Sequence, residues 1–177
     1  MNKTEIEQIL KKYNFIDFKW IKTSDIKIAQ WVRIKCTFGC SDYGKAVCPP
    51  NVPPVDQCRE FINEYTDALV IRFHFEADKN NYPKEYTDEV ARNLVLLERD
   101  IFLAGYYKAF VLNQNCCVLC NDCAQTRIDC KNLQASRPSP EAFAISVFDT
   151  IRSIGFPINV ITSTKQDINR YAFLLIE

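Results

Sequence analysis

Cys117, Cys120, Cys123 and Cys130 lie in the run NCCVLCNDCAQTRIDC with the spacing C-x2-C-x2-C-x6-C. Three thiolates at steps of three residues can wrap one face of a compact centre. A [4Fe–4S] cube needs that convergence of soft anionic ligands on neighbouring irons. The first three positions match the ferredoxin-type run, whereas the fourth falls later and no proline follows it directly. In two-cluster ferredoxins the fourth cysteine of such a run serves the other cluster. Two schemes are therefore open: all four cysteines hold one cluster, or Cys130 crosses over to a second site.

Cys36, Cys40 and Cys48 form that second group, in KCTFGCSDYGKAVCPP, with the spacing C-x3-C-x7-C. This is not the C-x3-C-x2-C of a radical S-adenosylmethionine site. Three cysteines leave a metal one ligand short. The fourth could be Cys58, Cys116, Cys130, a non-cysteine side chain or an exogenous ligand, and in the last case the iron is open to a small molecule. Cys116 and Cys58 thus stand as candidate extra ligands. Cys58 also has core spacing on an expected helix, where a buried apolar thiol is the simpler reading. Zinc is the competing metal, but structural zinc usually draws four cysteines from two separate C-x2-C knuckles. The expected cofactor is one or two [4Fe–4S] clusters, with zinc as the alternative.

The remaining chemistry is sparse. His74 is the only histidine, so a histidine-rich zinc enzyme site cannot be built, and a solvated strand position explains it. Arg33, Lys35 and Lys45 flank the first cysteine loop and can offset thiolate charge. Arg137 and Ser139 lie at an expected helix start, where an N-terminus could face a cluster or an anion. There is no phosphate-binding glycine loop, no G-x-S-x-G elbow and no dinucleotide fingerprint. No catalytic residue is identified.

Composition narrows the setting. The 22 basic and 22 acidic residues cancel, which argues against nucleic acid or an anionic membrane as partner. Nine cysteines, with a charged N-terminal segment in place of a signal-peptide core, point to a reducing compartment, so a cytoplasmic protein is expected. A redox partner protein or a small-molecule ligand fits such a chain. With 177 residues and 47% apolar composition, a single domain over 1–177 is expected, its cysteine loops at about 36–58 and 116–130.

The elements that must carry these loops follow from periodicity. Residues 3–13 read as a helix, 15–20 and 26–35 as strands, 36–54 as a loop rich in proline and glycine, and 55–66 as a helix. In ALVIRFHFE, over 68–76, Leu69, Ile71, Phe73 and Phe75 share one strand face. Pro83 opens a long helix that Gly105 ends. Residues 107–113 form a strand leading into the main cysteine run. Ser139 and Pro140 start a helix to about Ile154, and residues 157–162 and 171–176 close the chain as strands. The strand–helix–strand order over 68–113 suggests a β-α-β unit, hence an α/β or α+β fold, a mixed sheet with flanking helices.

The stretches RIKCTFGCSDYGKAVCPP, ERDIFLAGYYKAFVL, CVLCNDC with Cys130, RPSPEA and SVFDTIRSIGFP resemble a family of cysteine-rich predicted metal-binding proteins found widely in anaerobic bacteria and archaea. The resemblance runs from about Arg33 to Pro157. It implies Cys36, Cys40, Cys48, Cys117, Cys120, Cys123 and Cys130 as the metal-ligand set and leaves Cys58 and Cys116 outside the usual pattern. The family carries no settled reaction. Electron transfer, an open-iron ligand site and a zinc-stabilised interaction module are the functions that remain.

Overall fold

The computed structural model describes residues 1–76, 84–163 and 165–177. Its centre is a four-stranded sheet of β1 (Phe18–Lys22), β2 (Asp67–Phe75), β3 (Phe110–Leu112) and β4 (Ile168–Leu175), in the order β1-β2-β4-β3. Every neighbouring pair is antiparallel. Because side chains alternate across a strand, the apolar run of β2 supplies both faces. Leu69, Ile71 and Phe73 join Ala172 and Leu174 of β4 beneath α1 (Lys3–Lys12) and α4 (Lys84–Leu103), through Ile6, Leu10, Leu94, Leu97 and Ile101. Ala68 and Val70 turn the other way. There, with Phe173 and Leu175, they meet Cys58 and Ile62 of α3 (Val55–Asn63) and Ile151 of α5 (Val147–Ser153). The result is an α+β arrangement with helices on both faces of the sheet. Each fully buried leucine or isoleucine in these layers contributes about 1.5–3 kcal/mol. Among the described residues, no helix is long and apolar enough to cross a membrane.

Several expectations change. Residues 26–35 are not a strand. Ile28 makes only an isolated bridge with Ile145, Ala29 N donates to Ala144 O at 2.9 Å, and the chain then turns into α2 (Gln30–Gly39). The alternation of Ile26, Ile28, Val32 and Ile34 mixed two patterns, an extended lead-in and a helix that buries Val32. Residues 157–162 form no strand either. They carry Pro157, Val160 and Ile161 are exposed, and both flanks of β4 are filled by β2 and β3. The expected helix over 139–154 is broken: a 3-10 turn over Glu141–Phe143 ends at Ala144 in the left-handed region (φ 59°), and α5 begins only at Val147. The β-α-β unit is split. β2 and β3 are each antiparallel to β4, so they run parallel to one another with β4 between them. The expected helix start at Pro83 lies outside the described residues, while Gly105 does end α4 with φ +101°.

Two tyrosines tie the sheet to the α3–α5 side. Burial pushes the phenols of Tyr65 and Tyr171 from the usual 10 to about 12. Their OH groups donate to Lys108 O and Pro157 O. A folded-state value raised above the unfolded one gives stability that is full below pH 10 and lost as pH climbs toward 12. The denaturation midpoint is therefore expected to fall across that window. The Tyr65→Phe, Tyr171→Phe double variant should flatten the fall, and an unchanged slope would dismiss these two groups as its cause.

Candidate metal centre

The first cysteine segment is partly helical. Cys36 sits in the last turn of α2 and Cys40 is its C-cap, so the x3 spacing places both thiols on one helix face. Sequence reading missed this by taking the segment as a strand running into a loop. Beyond Cys40 the chain turns at Gly44, whose φ of +92° suits a residue without Cβ. Gly44 N donates to Pro49 O at 2.7 Å. Cys48 is buried next to the cis Pro49–Pro50 peptide. Asn51 Nδ2 then binds Gly44 O (2.9 Å), Lys45 O (3.1 Å) and, across to the second cysteine segment, Gln125 O (2.9 Å).

The second segment leaves β3 at Leu112 and returns near Arg137. Its ends are clamped by Asn113 N on Pro138 O at 2.8 Å and by a part-buried ion pair. Glu98 of α4 accepts from Arg137 Nη2 at 2.5 Å, from Arg137 Nε at 2.9 Å and from Val111 N at 2.7 Å. Arg137 also donates to Gln134 O and Ser136 O and covers the ring of Phe110. It is thus a structural clamp. Within the segment, Asn132 Nδ2 donates to Cys120 Sγ at 2.9 Å, and Ser136 Oγ lies 3.5 Å from Cys130 Sγ. Arg127 holds Ser136 and Leu133 O. Nothing in the sequence pattern singled out Asn132, Ser136 or Arg127, since polar residues beside cysteines carry no signature of their own.

The cysteines divide by cavity. Cys117, Cys120, Cys123 and Cys130 line one small cavity of about 10 Å³, closed by Ala46 and Val47 of the first segment. Cys36, Cys40, Cys48 and Cys116 line a second, of about 810 Å³. Electrostatics divide them in the same way. Burial pushes the Cys117 thiol up, and Cys123, Cys130 and Cys120 add to the push. Burial raises Cys36, with Cys40 adding to it, and raises Cys48 to about 12, with Asp42, Cys40 and Cys36 contributing. Cys116 also rises to about 12, through burial first, then its hydrogen bond with Asp42, then the charges of Asp42 and Cys48. Cys130 goes the other way. Desolvation raises it, but hydrogen bonds from Ser136, the Asn132 amide and Arg127 bring its net value down. Among the described residues, no three His, Cys, Asp or Glu side chains meet closely enough to hold one metal ion. The sulfurs stand around the walls of the two cavities.

This geometry finds a counterpart in sequence comparison. The family described as predicted metal-binding protein (DUF2284) matches residues 19–176, a span that includes both cysteine segments. The chain belongs to this family. No curated protein and no solved structure matches it.

In this family member the ninth cysteine lies apart. Cys58 is fully buried in the α3–α5 core, its Sγ 3.3 Å from Pro53 O and 3.9 Å from Arg33 Nη2, and it lines neither cavity. Arg33 is occupied as a strut, donating to Pro53 O and Ala142 O. Lys45 pairs with Asp42 and feels both Cys116 and Cys123, so it stands between the two cysteine sets. Lys35 lies over the Trp31 ring. His74 lines neither cavity and bonds Asn169 on β4.

Proposed function

We propose that the chain is an iron–sulfur protein with two [4Fe–4S] clusters, one on Cys117, Cys120, Cys123 and Cys130 and the other on Cys36, Cys40, Cys48 and Cys116, acting in cytoplasmic electron transfer. The observation that carries this reading is the division of eight cysteines into two cavity-lining sets of four. The donor chemistry fits. Every candidate ligand is a soft thiol, and each set brings its sulfurs around a shared space, as the irons of a cube require. Metal would supply positive charge to the thiolates gathered in each set, and binding would release the protons of those thiols that burial holds protonated, Cys36, Cys48, Cys116 and Cys117.

A bound cluster supplies one-electron chemistry. The chain's own residues set its environment. The Asn132 amide on Cys120, and Ser136 and Arg127 at Cys130, withdraw charge from sulfur and favour the reduced state. Lys45 offsets negative charge between the two sets. Cys116 supplies a fourth thiol beside Cys36, Cys40 and Cys48, which favours a closed cluster over one with an open iron. Nine free cysteines suit a reducing compartment, and a redox partner protein is the expected companion.

The second reading is a zinc-stabilised interaction module: four thiolates also satisfy structural zinc, although each set would have to close in further to hold a single ion. Purification without oxygen, followed by iron, zinc and acid-labile sulfide assays, separates the two. About 8 iron and about 8 sulfide per chain are expected, with a brown colour bleached by dithionite, from the stoichiometry of two cubes. A colourless protein carrying zinc and no sulfide would replace the cluster reading with the zinc one.

A further inference from the structure

We infer that the outer face of α4 is a self-association surface, on which a second copy of this chain packs antiparallel. α4 has 20 residues, which makes it about 30 Å long. Its inner stripe, Val90, Leu94, Leu97 and Ile101, packs on the sheet. Its outer stripe is Glu89, Arg92, Leu96, Arg99 and Leu103, in steps of three, four, three and four, and every member is exposed. That spacing is the seam of a two-helix coiled coil. Leu96 is 44% and Leu103 66% exposed, so the seam offers apolar area that a second helix would take out of water.

The charges identify the occupant. Among the described residues, Glu89, Arg92 and Arg99 are in no ion pair, whereas Glu98 and Asp100 of the same helix are taken by Arg137 and Lys12. A parallel second copy would face each seam residue with itself and so set Glu89, Arg92 and Arg99 against like charges. An antiparallel copy pairs alternate seam positions instead. In the register whose two-fold axis passes beside Leu94, Glu89 meets Arg99 of the second copy and Arg99 meets Glu89 of the second copy. Between these two opposite-charge layers Arg92 faces Leu96, and the arginine stem can lie along the leucine. Sliding by one heptad leaves either Glu89 or Arg99 beyond the end of the opposing helix, so this register is singled out. The order is self-complementary under a two-fold axis, as an interface between identical copies must be. The helix dipole favours acids and bases only within the first and last turns, and Glu89 and Arg99 lie between those turns. A seam of this length covers less than the about 1,600 Å² of a standard interface, so the dimer is reversible. The inference does not depend on which metal the cysteines hold.

The test is sedimentation equilibrium of the full, metal-loaded chain across the micromolar range. A monomer–dimer equilibrium is expected, and it should weaken as salt screens the charge layers. Glu89→Arg and Arg99→Glu should each weaken it about a hundredfold, because either change puts two like-charge contacts into the dimer at about tenfold apiece. The two changes combined exchange the charges and restore both layers. The double variant should therefore return to within about threefold of the native dissociation constant, a recovery that only coupled sites show. These are exposed positions, so the variants keep the fold, which circular dichroism checks. Several results would overturn the inference. One is a monomer at every concentration. Another is a dimer indifferent to both single reversals. A third is a dimer that both reversals break and their combination does not recover. The last is a dimer lost in Phe38→Ala, which would give the contact to the exposed face of α2.

Discussion

Replacing Cys116 by alanine is expected to remove about half of the bound iron and sulfide, taking ~8 of each to ~4, as loss of one of two cubes requires. The same change at Cys58 is expected to leave metal content untouched. The contrast follows from placement. Cys116 lines the cavity shared by Cys36, Cys40 and Cys48 and is electrostatically coupled to Cys48, whereas Cys58 sits in the core and lines neither cavity. Cys58→Ala should cost stability instead, about 1 kcal/mol for a small buried side chain. Cys130→Ala should remove the other half of the iron and spare the centre that Cys116→Ala destroys. Combined electron paramagnetic resonance and metal analysis on the three variants decides the matter. Full metal content in Cys116→Ala would return the second centre to three cysteines and an outside ligand.

Glu98→Gln has the largest expected effect on stability. Glu98 and Arg137 are 11% and 16% exposed at the side chain, and Arg137 makes two bonds to that carboxylate. Neutralising Glu98 leaves a part-buried guanidinium without its counter-charge, a change expected to cost about 1–3 kcal/mol, less than the about 3–5 kcal/mol of a fully buried pair. It also weakens the bond from Val111 N, at the strand that feeds the second cysteine segment. Loss of metal to a chelator should therefore speed up at the Cys117–Cys130 centre before the fold itself unfolds. Arg137→Lys should not rescue the clamp, because lysine cannot present two parallel donors to one carboxylate. Denaturant titration with parallel chelation kinetics measures both effects. A cost below about 1 kcal/mol, the worth of an ordinary surface ion pair, would show that the clamp is dispensable.

What could be read from the sequence was what local spacing determines. The grouping of Cys117, Cys120 and Cys123 around one cavity follows from two short steps, whereas spacing left Cys130 open between the two sets and only the fold places it beside the other three. The alternating faces of β2 and the i, i+4, i+7 pattern of α4 follow from single-element periodicity. Cys116 could not be assigned in this way. It adjoins Cys117 in the chain, and only the tertiary placement of the first segment, with Asp42, Cys48 and Asn51, shows which cavity it lines. The α2 error has a local cause, because Ile28, Val32 and Ile34 satisfy a period of two while Trp31, Ile34 and Phe38 satisfy a helix. Arbitration came from long-range contacts such as Arg33 with Ala142. The break in the helix after Phe143 is invisible for a different reason: an alanine, not a glycine, adopts the left-handed turn there. The insertion of β4 between β2 and β3 pairs Ala68 with Leu175 on one side and Phe110 with the same Leu175 on the other, and no window along the chain reveals it.

Cys116 and Cys117 are consecutive, yet each lines a different cavity. One peptide unit, with its Cα atoms about 3.8 Å apart, is therefore part of the wall between the two rooms, as is the unit that joins Val47 to Cys48. If electrons enter at one side, the handover to the other crosses a partition one residue thick, and the chain behaves less like two lamps than like two filaments in one bulb.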